Sequence, residues 1–102
     1  MTPRYVLAPE AAQDVFEIWL YIRDHSSVDA ASQVESVILN KIAFLAANPR
    51  VGHYREDLTS ERVRFYAVYS YLIVYRPETR PLQIACVLHG RQDVAGILKD
   101  RL

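Results

Sequence analysis

From Pro9 to about His25 the apolar residues Ala11, Val15, Ile18, Trp19 and Ile22 recur at intervals of three and four. That is the stripe of an amphipathic helix. The spacing returns in Ala31, Val34, Ile38, Ile42 and Leu45 and runs to Asn48-Pro49, where the proline disfavours helix in the residue before it. Between the stripes "HSSVD" breaks the pattern and offers Ser26 or Ser27 as an N-cap. Two helices joined by so short a turn predict an antiparallel hairpin.

Ahead of the hairpin, "RYVLAP" (4–9) alternates briefly and predicts a short strand stopped at Pro9. Behind it, "NPRVGHYREDLTSE" (48–61) is a loop with turn residues. From Arg62 the period changes to two. "RVRFYAV" (62–68) alternates Val63, Phe65 and Ala67 with Arg62, Arg64 and Tyr66. "YLIVYR" (71–76) and "LQIACVL" (82–88) are rich in β-branched, aromatic and other apolar residues, and the gaps at Tyr69-Ser70 and Pro77–Pro81 suit hairpin turns. A short helix over 92–101 closes the chain. The expected architecture is α+β, in the order β-α-α-β-β-β, with the helical hairpin packed on one face of a small antiparallel sheet.

At 102 residues the chain is expected to be one domain, residues 1–102. Apolar residues at 51% and charged residues at 24% are the balance of a soluble globular protein. Cys86 is the single cysteine and offers neither a disulfide framework nor a metal spacing. A reducing, cytoplasmic location follows as the default. The start, Met1-Thr2-Pro3-Arg4, lacks the apolar stretch of a signal peptide, and no run approaches transmembrane length. No cofactor and no metal are expected.

The net charge is zero but unevenly spread. Residues 1–47 set Arg4, Arg23 and Lys41 against six acids, Glu10, Asp14, Glu17, Asp24, Asp29 and Glu35. Residues 48–91 carry seven arginines against Glu56, Asp57, Glu61 and Glu78. A second half of this sign either faces something anionic or covers a solvated sheet face.

Four segments in order, "YVLAPEAAQDVFEIWLYI", "LAANPRVGHYREDL", "VRFYAVYSYLIVY" and "VLHGRQDVAGIL", resemble successive blocks of the RelE/ParE toxin superfamily. They are most similar to its ParE branch, the plasmid-stabilisation toxins of type II toxin–antitoxin modules. The resemblance covers nearly the whole chain, and the order and spacing of the blocks carry it. It implies the fold just outlined and a partner, a cognate ParD-like antitoxin whose flexible segment wraps the toxin in a hetero-oligomer. Two activities divide the superfamily. RelE-like members cut mRNA on the ribosome, and characterised ParE-like members poison DNA gyrase.

Cutting RNA by attack of a 2′-hydroxyl needs a base, an acid and cations for the phosphate. The resemblance places Arg62 and Arg64 where relatives carry basic residues on the first of these strands, and Arg91 where they carry an arginine after the last. Two positions depart from the RNA-cleaving pattern: Leu72 stands for a strand arginine and Ile97 for a C-terminal tyrosine. An imidazole is a general acid/base at neutral pH, so His89 is a candidate to replace the lost group, or is a strand-end histidine bonded to the backbone. Gly90 is expected to free the backbone to leave the strand. Asp93 either pairs with Arg91 or caps the last helix.

Arg62, Arg64 and Arg91 are therefore the expected target-binding residues, and with His89 they are the candidates for catalysis if there is any. His53, Tyr54 and Arg55 would extend a cationic row. Trp19 is expected in the core, with Trp19 and Ile22 as the alternative lining of an antitoxin groove. Tyr66, Tyr71 and Tyr75 read as cross-strand packing. The expectation is a toxin that binds DNA gyrase without catalysis, touching no membrane. The alternatives are a ribosome-dependent mRNA endonuclease and a degenerate module that keeps only antitoxin binding.

Overall fold

Helix α1 (Pro9–His25) starts at its proline, whose missing N–H costs nothing at a helix N-terminus. The computed structural model describes residues 4–102, so Met1, Thr2 and Pro3, where the sequence predicts no signal peptide, lie outside the described residues. Helix α2 (Val28–Ala47) opens on Ser27, whose Oγ accepts the Ala30 N–H at 3.0 Å, and ends at Asn48 ahead of the proline. Strand β1 (Tyr5–Leu7) precedes the hairpin; β2 (Arg64–Val68), β3 (Tyr71–Arg76), β4 (Leu82–His89) and helix α3 (Val94–Arg101) follow it. Strand β2 begins two residues later than the alternation suggests because the Val63 N–H turns back to the Glu61 carbonyl at 2.9 Å. Helix α3 likewise waits for its cap, with Asp93 Oδ1 accepting the Gly96 N–H at 3.2 Å. That decides the role of Asp93.

The sheet runs β1-β4-β3-β2. Strands β2, β3 and β4 are antiparallel as expected, but β1 lies parallel to β4, so the sheet is mixed. A tight turn would force the antiparallel arrangement. The long excursion through the hairpin imposes no such constraint. Backbone bonds from Leu82 N–H to Arg4 O (3.0 Å) and from Ala8 N–H to Ile84 O (2.9 Å) clamp both ends of the short strand.

Both faces of the sheet are covered. Ala11, Val15, Ile38, Ile42 and Leu45 of the hairpin pack on Val68, Ile73, Tyr75, Leu82, Ile84 and Val87. On the other side Val94 and Leu98 of α3 pack on Val63, Phe65, Val74, Cys86 and Leu88. Apolar runs without alternation in β3 and β4 are what double-sided burial requires. Of the two readings of the arginines, a solvated face fits Arg62, which is exposed, but not Arg64: the hairpin covers the Arg64–Tyr66–Val68 side, and α3 the side of Val63 and Phe65.

One irregularity sets the site. Val74 pairs with Cys86 but Tyr75 pairs with Ile84, leaving Ala85 without an opposite number. The extra residue flips the parity of β4. Leu82 and Ile84 face the hairpin, Cys86 and Leu88 face α3, and Val87 faces the hairpin again.

Candidate functional site

Past Leu7 strand β1 stops, and β4 continues for five residues with no strand on that side. Side chains take over the edge. Asp14 Oδ2 accepts the Val87 N–H at 3.0 Å, and Gln92 Oε1 accepts the His89 N–H at 2.7 Å. The turn after His89 closes on itself: the Arg91 N–H donates to His89 Nδ1 (3.0 Å), and the Gly90 N–H donates to the Ser70 carbonyl (2.8 Å). Gly90 has an ordinary negative φ, and a Cβ there would sit 3.4 Å from Ser70 O, so no left-handed backbone is needed to leave the strand.

His89 stands edge-on to Tyr71, ring centroids 5.5 Å apart, in a cleft of about 360 Å³ between α1 and the free end of β4. With Nδ1 occupied by the Arg91 N–H, the neutral ring carries its proton on Nε2 and offers the cleft a donor. A hydroxyl to be deprotonated would find no vacant ring nitrogen. Burial, helped by neighbouring Tyr21, pushes the Tyr71 phenol above its ordinary value. Arg91 itself is exposed.

Arg62 and Arg64 do not join this group. Arg64 pairs with Tyr75, whereas His89 pairs with Tyr71. Four residues of β3, roughly 13 Å at 3.3 Å per residue, separate the two ends. The four residues offered for RNA cleavage therefore lie at opposite ends of the sheet. Arg64 is half-buried, donating from Nη1 to the Gly52 carbonyl (2.7 Å) with its guanidinium 4.3 Å over the Tyr54 ring. Arg62 is exposed outside β2 and pairs with Glu78 at 3.3 Å. Of the loop residues meant to extend the row, His53 forms an isolated bridge with Phe65, and Arg55 is held bidentately by Asp57.

Leu72 and Ile97 both pack against the apolar layer between the sheet and α3. In the hairpin, Trp19 belongs to neither core. It is half-buried on the seam, its indole N–H donating to Ser32 Oγ (3.3 Å) and its ring 5.5 Å from the Arg23 guanidinium. The core position beside it is Ile18. Ile22 is half-buried in the last turns of α1.

The residue that organises the site is Asp14, which the periodicity passed over. It is 7% exposed and bonds Arg101 of α3 through both oxygens, at 2.6 and 2.9 Å. That carboxylate holds the Arg101 guanidinium well above its ordinary pKa, and Glu10 adds a contact at 3.2 Å. The signal was present: a carboxylate three residues after Ala11, inside the apolar stripe, must have a buried partner. Cys86 beneath is buried, and desolvation raises its thiol pKa, which keeps it unreactive. Among the described residues no group of His, Cys, Asp and Glu could hold a metal ion, and no helix is long and apolar enough to cross a membrane.

Comparison with known proteins gives a consistent picture. Residues 5–94 match the family model described as the ParE toxin of the type II toxin–antitoxin system parDE. Toxin ParE1 of Mycobacterium tuberculosis, in two strains, is 33% identical over 95 residues, covering 92% of this chain and 96% of that protein. A solved structure described as the chromosomal ParDE TA system from P. aeruginosa superposes with a TM-score of 0.72 at 18% identity, over 83% of this chain and 92% of that one. At that identity the superposition establishes the fold.

Proposed function

This chain belongs to the ParE toxins of type II toxin–antitoxin systems, and on that premise we propose that it inhibits DNA gyrase, without cutting RNA, and is neutralised by a cognate ParD-like antitoxin. The observation that carries the reading is the fate of the two departing positions. Leu72 and Ile97 are apolar packing under α3, where an RNA-cleaving relative presents an arginine and a tyrosine. The remaining candidates also fail to converge. Catalysis of phosphoryl transfer needs base, acid and cation within hydrogen-bond reach of one phosphate, whereas Arg64 and His89 sit at opposite ends of the sheet. Binding to a large protein tolerates such separation. Arg91 and the cleft at one end, and Arg62 at the other, offer distinct contacts to an extended surface.

Two assays on the full chain decide between the readings. Purified toxin added to a supercoiling reaction should inhibit gyrase, and the effect should vanish when the co-encoded antitoxin is added first. Primer extension on cellular mRNA during induction should show no new ends. Cleavage within translated codons, with supercoiling unaffected, would overturn the proposal in favour of the endonuclease.

A further inference from the structure

We infer that the cleft between α1 and the free end of β4 is an anchor pocket for a basic side chain, arginine above lysine, carried by the antitoxin segment that wraps this toxin. The inference rests on the proposed antitoxin only for the identity of the carrier; the pocket stands on its own geometry.

The β4 edge is closed to strand addition here. Its N–H groups at Val87 and His89 are already taken by Asp14 and Gln92. A partner lying along this edge must therefore be recognised through side chains rather than through a backbone ladder. The cleft between them is of ligand size and has an unusual chemical balance. Its lining holds two carboxylates, Asp14 and Glu17, and two phenols, Tyr21 and Tyr71, with no lysine or arginine. Asp14 is matched by Arg101, but among the described residues Glu17 has only the neutral Gln13 amide, at 3.2 Å, against it. The local charge is thus negative and waiting for a cation.

A guanidinium fits this lining better than the alternatives. Its plane stacks on tyrosine faces and its fork meets a carboxylate, and neither feature is available to a compact ammonium. A nucleobase would find aromatic walls, but the phosphate attached to it would meet Glu17 in a lining that holds no arginine or lysine. Of the two arginines flanking the cleft, Arg101 is already held by Asp14 and Glu10, and Arg91 lies on the exposed turn outside the lining. The chain's charge asymmetry points the same way, because the cleft's outer wall is the acidic helix α1.

The test is a two-dimensional NMR titration of the full-length chain with N-acetyl-arginine amide, at low and at physiological salt. The expected result is saturable shifts confined to Glu17, Tyr21, Tyr71, His89 and their neighbours, weakened by salt. Glu17→Gln should weaken binding by at least about threefold, the scale of one charge-assisted contact at a partly solvated site. Asp24→Asn, on the far end of the same helix, should leave it unchanged. Equal shifts with N-acetyl-norleucine amide would mean an apolar niche, stronger shifts with AMP a nucleobase site, and absence of saturable shifts no site at all; each overturns the inference. Neither gyrase nor the antitoxin enters the measurement, so its failure is separate from failure of the proposed function.

Discussion

Asp14 and Arg101, the one near the start of the chain and the other its penultimate residue, meet end-on with Oδ2–Nη1 2.6 Å and Oδ1–Nη2 2.9 Å, while the same Oδ2 accepts the Val87 N–H at 3.0 Å. One carboxylate thereby ties α1, α3 and the end of β4 together. It also fixes the edge on which the His89 cleft is built.

Arg101→Met should destabilise the fold by about 2–4 kcal/mol, below the 3–5 typical when one partner of a fully buried pair is lost, because a fifth of the Arg101 side chain remains in water. Asp14→Leu combined with Arg101→Met should recover part of the loss, since the uncompensated charge is gone. Urea unfolding of both singles and the double measures this as a coupling energy. A loss under about 0.5 kcal/mol in Arg101→Met would show the pair to be solvated surface.

Tyr75 latches the loop after α2. Its buried hydroxyl donates to the Pro49 carbonyl (2.8 Å) and accepts the Gly52 N–H (2.9 Å). Tyr75→Phe should cost about 1–3 kcal/mol by orphaning both groups. Gly52→Ala should cost a similar amount, because a Cβ there would lie against the Tyr75 hydroxyl and 2.9 Å from the Phe65 carbonyl. Thermal melts of the two variants give both numbers.

The same tyrosine predicts an alkaline limb. Burial raises the Tyr75 pKa above its ordinary 10.0, and Tyr71 shifts the same way. The unfolded chain then releases these protons first, so stability is undiminished below about pH 10 and falls as pH rises through the folded-state values. Tyr75→Phe should flatten that fall, leaving the part due to Tyr71. A stability profile in urea from pH 8 to 11 is the check, and an unchanged slope in the variant would refute the assignment.

Tyr69 turns the β2–β3 hairpin with φ 54°, a left-handed backbone that costs a side chain with a Cβ about 1–2 kcal/mol. It is 65% exposed, so its ring contributes little packing. Tyr69→Gly should raise stability by up to about 1 kcal/mol, the entropy of glycine in the unfolded chain offsetting the rest. That corresponds to roughly 4–8 °C in melting temperature. A lower melting temperature would show that the tyrosine ring outweighs the backbone.

Arg91→Ala should reduce growth inhibition while leaving melting temperature and antitoxin affinity intact, because the side chain is exposed. Arg62→Ala should act independently. The residues lie at opposite ends of the sheet, so their effects on toxicity should add, as expected for sites more than about 10 Å apart. Full toxicity in the double variant at wild-type expression would remove this cationic surface from the mechanism.

What the sequence determined by itself is local. The 3.6-residue stripes ending at Ser27 and Asn48-Pro49 specify the two helices to within a few residues, because caps and proline act on their immediate neighbours. The change to period two specifies three strands, and the order of the blocks carries the family. What only the tertiary structure decided depends on register and long-range pairing. The unpaired Ala85 shifts β4 by one residue and places His89 on the hairpin side with Tyr71, and no periodicity in "LQIACVLH" marks that shift. The choice of partner for Asp14 lay 87 residues away, at Arg101. The separation of Arg64 from Arg91 follows from antiparallel pairing, which sends consecutive strand ends to opposite edges of the molecule. Side-chain chemistry is written residue by residue, but which residues share a site is set by pairings between distant strands and helices.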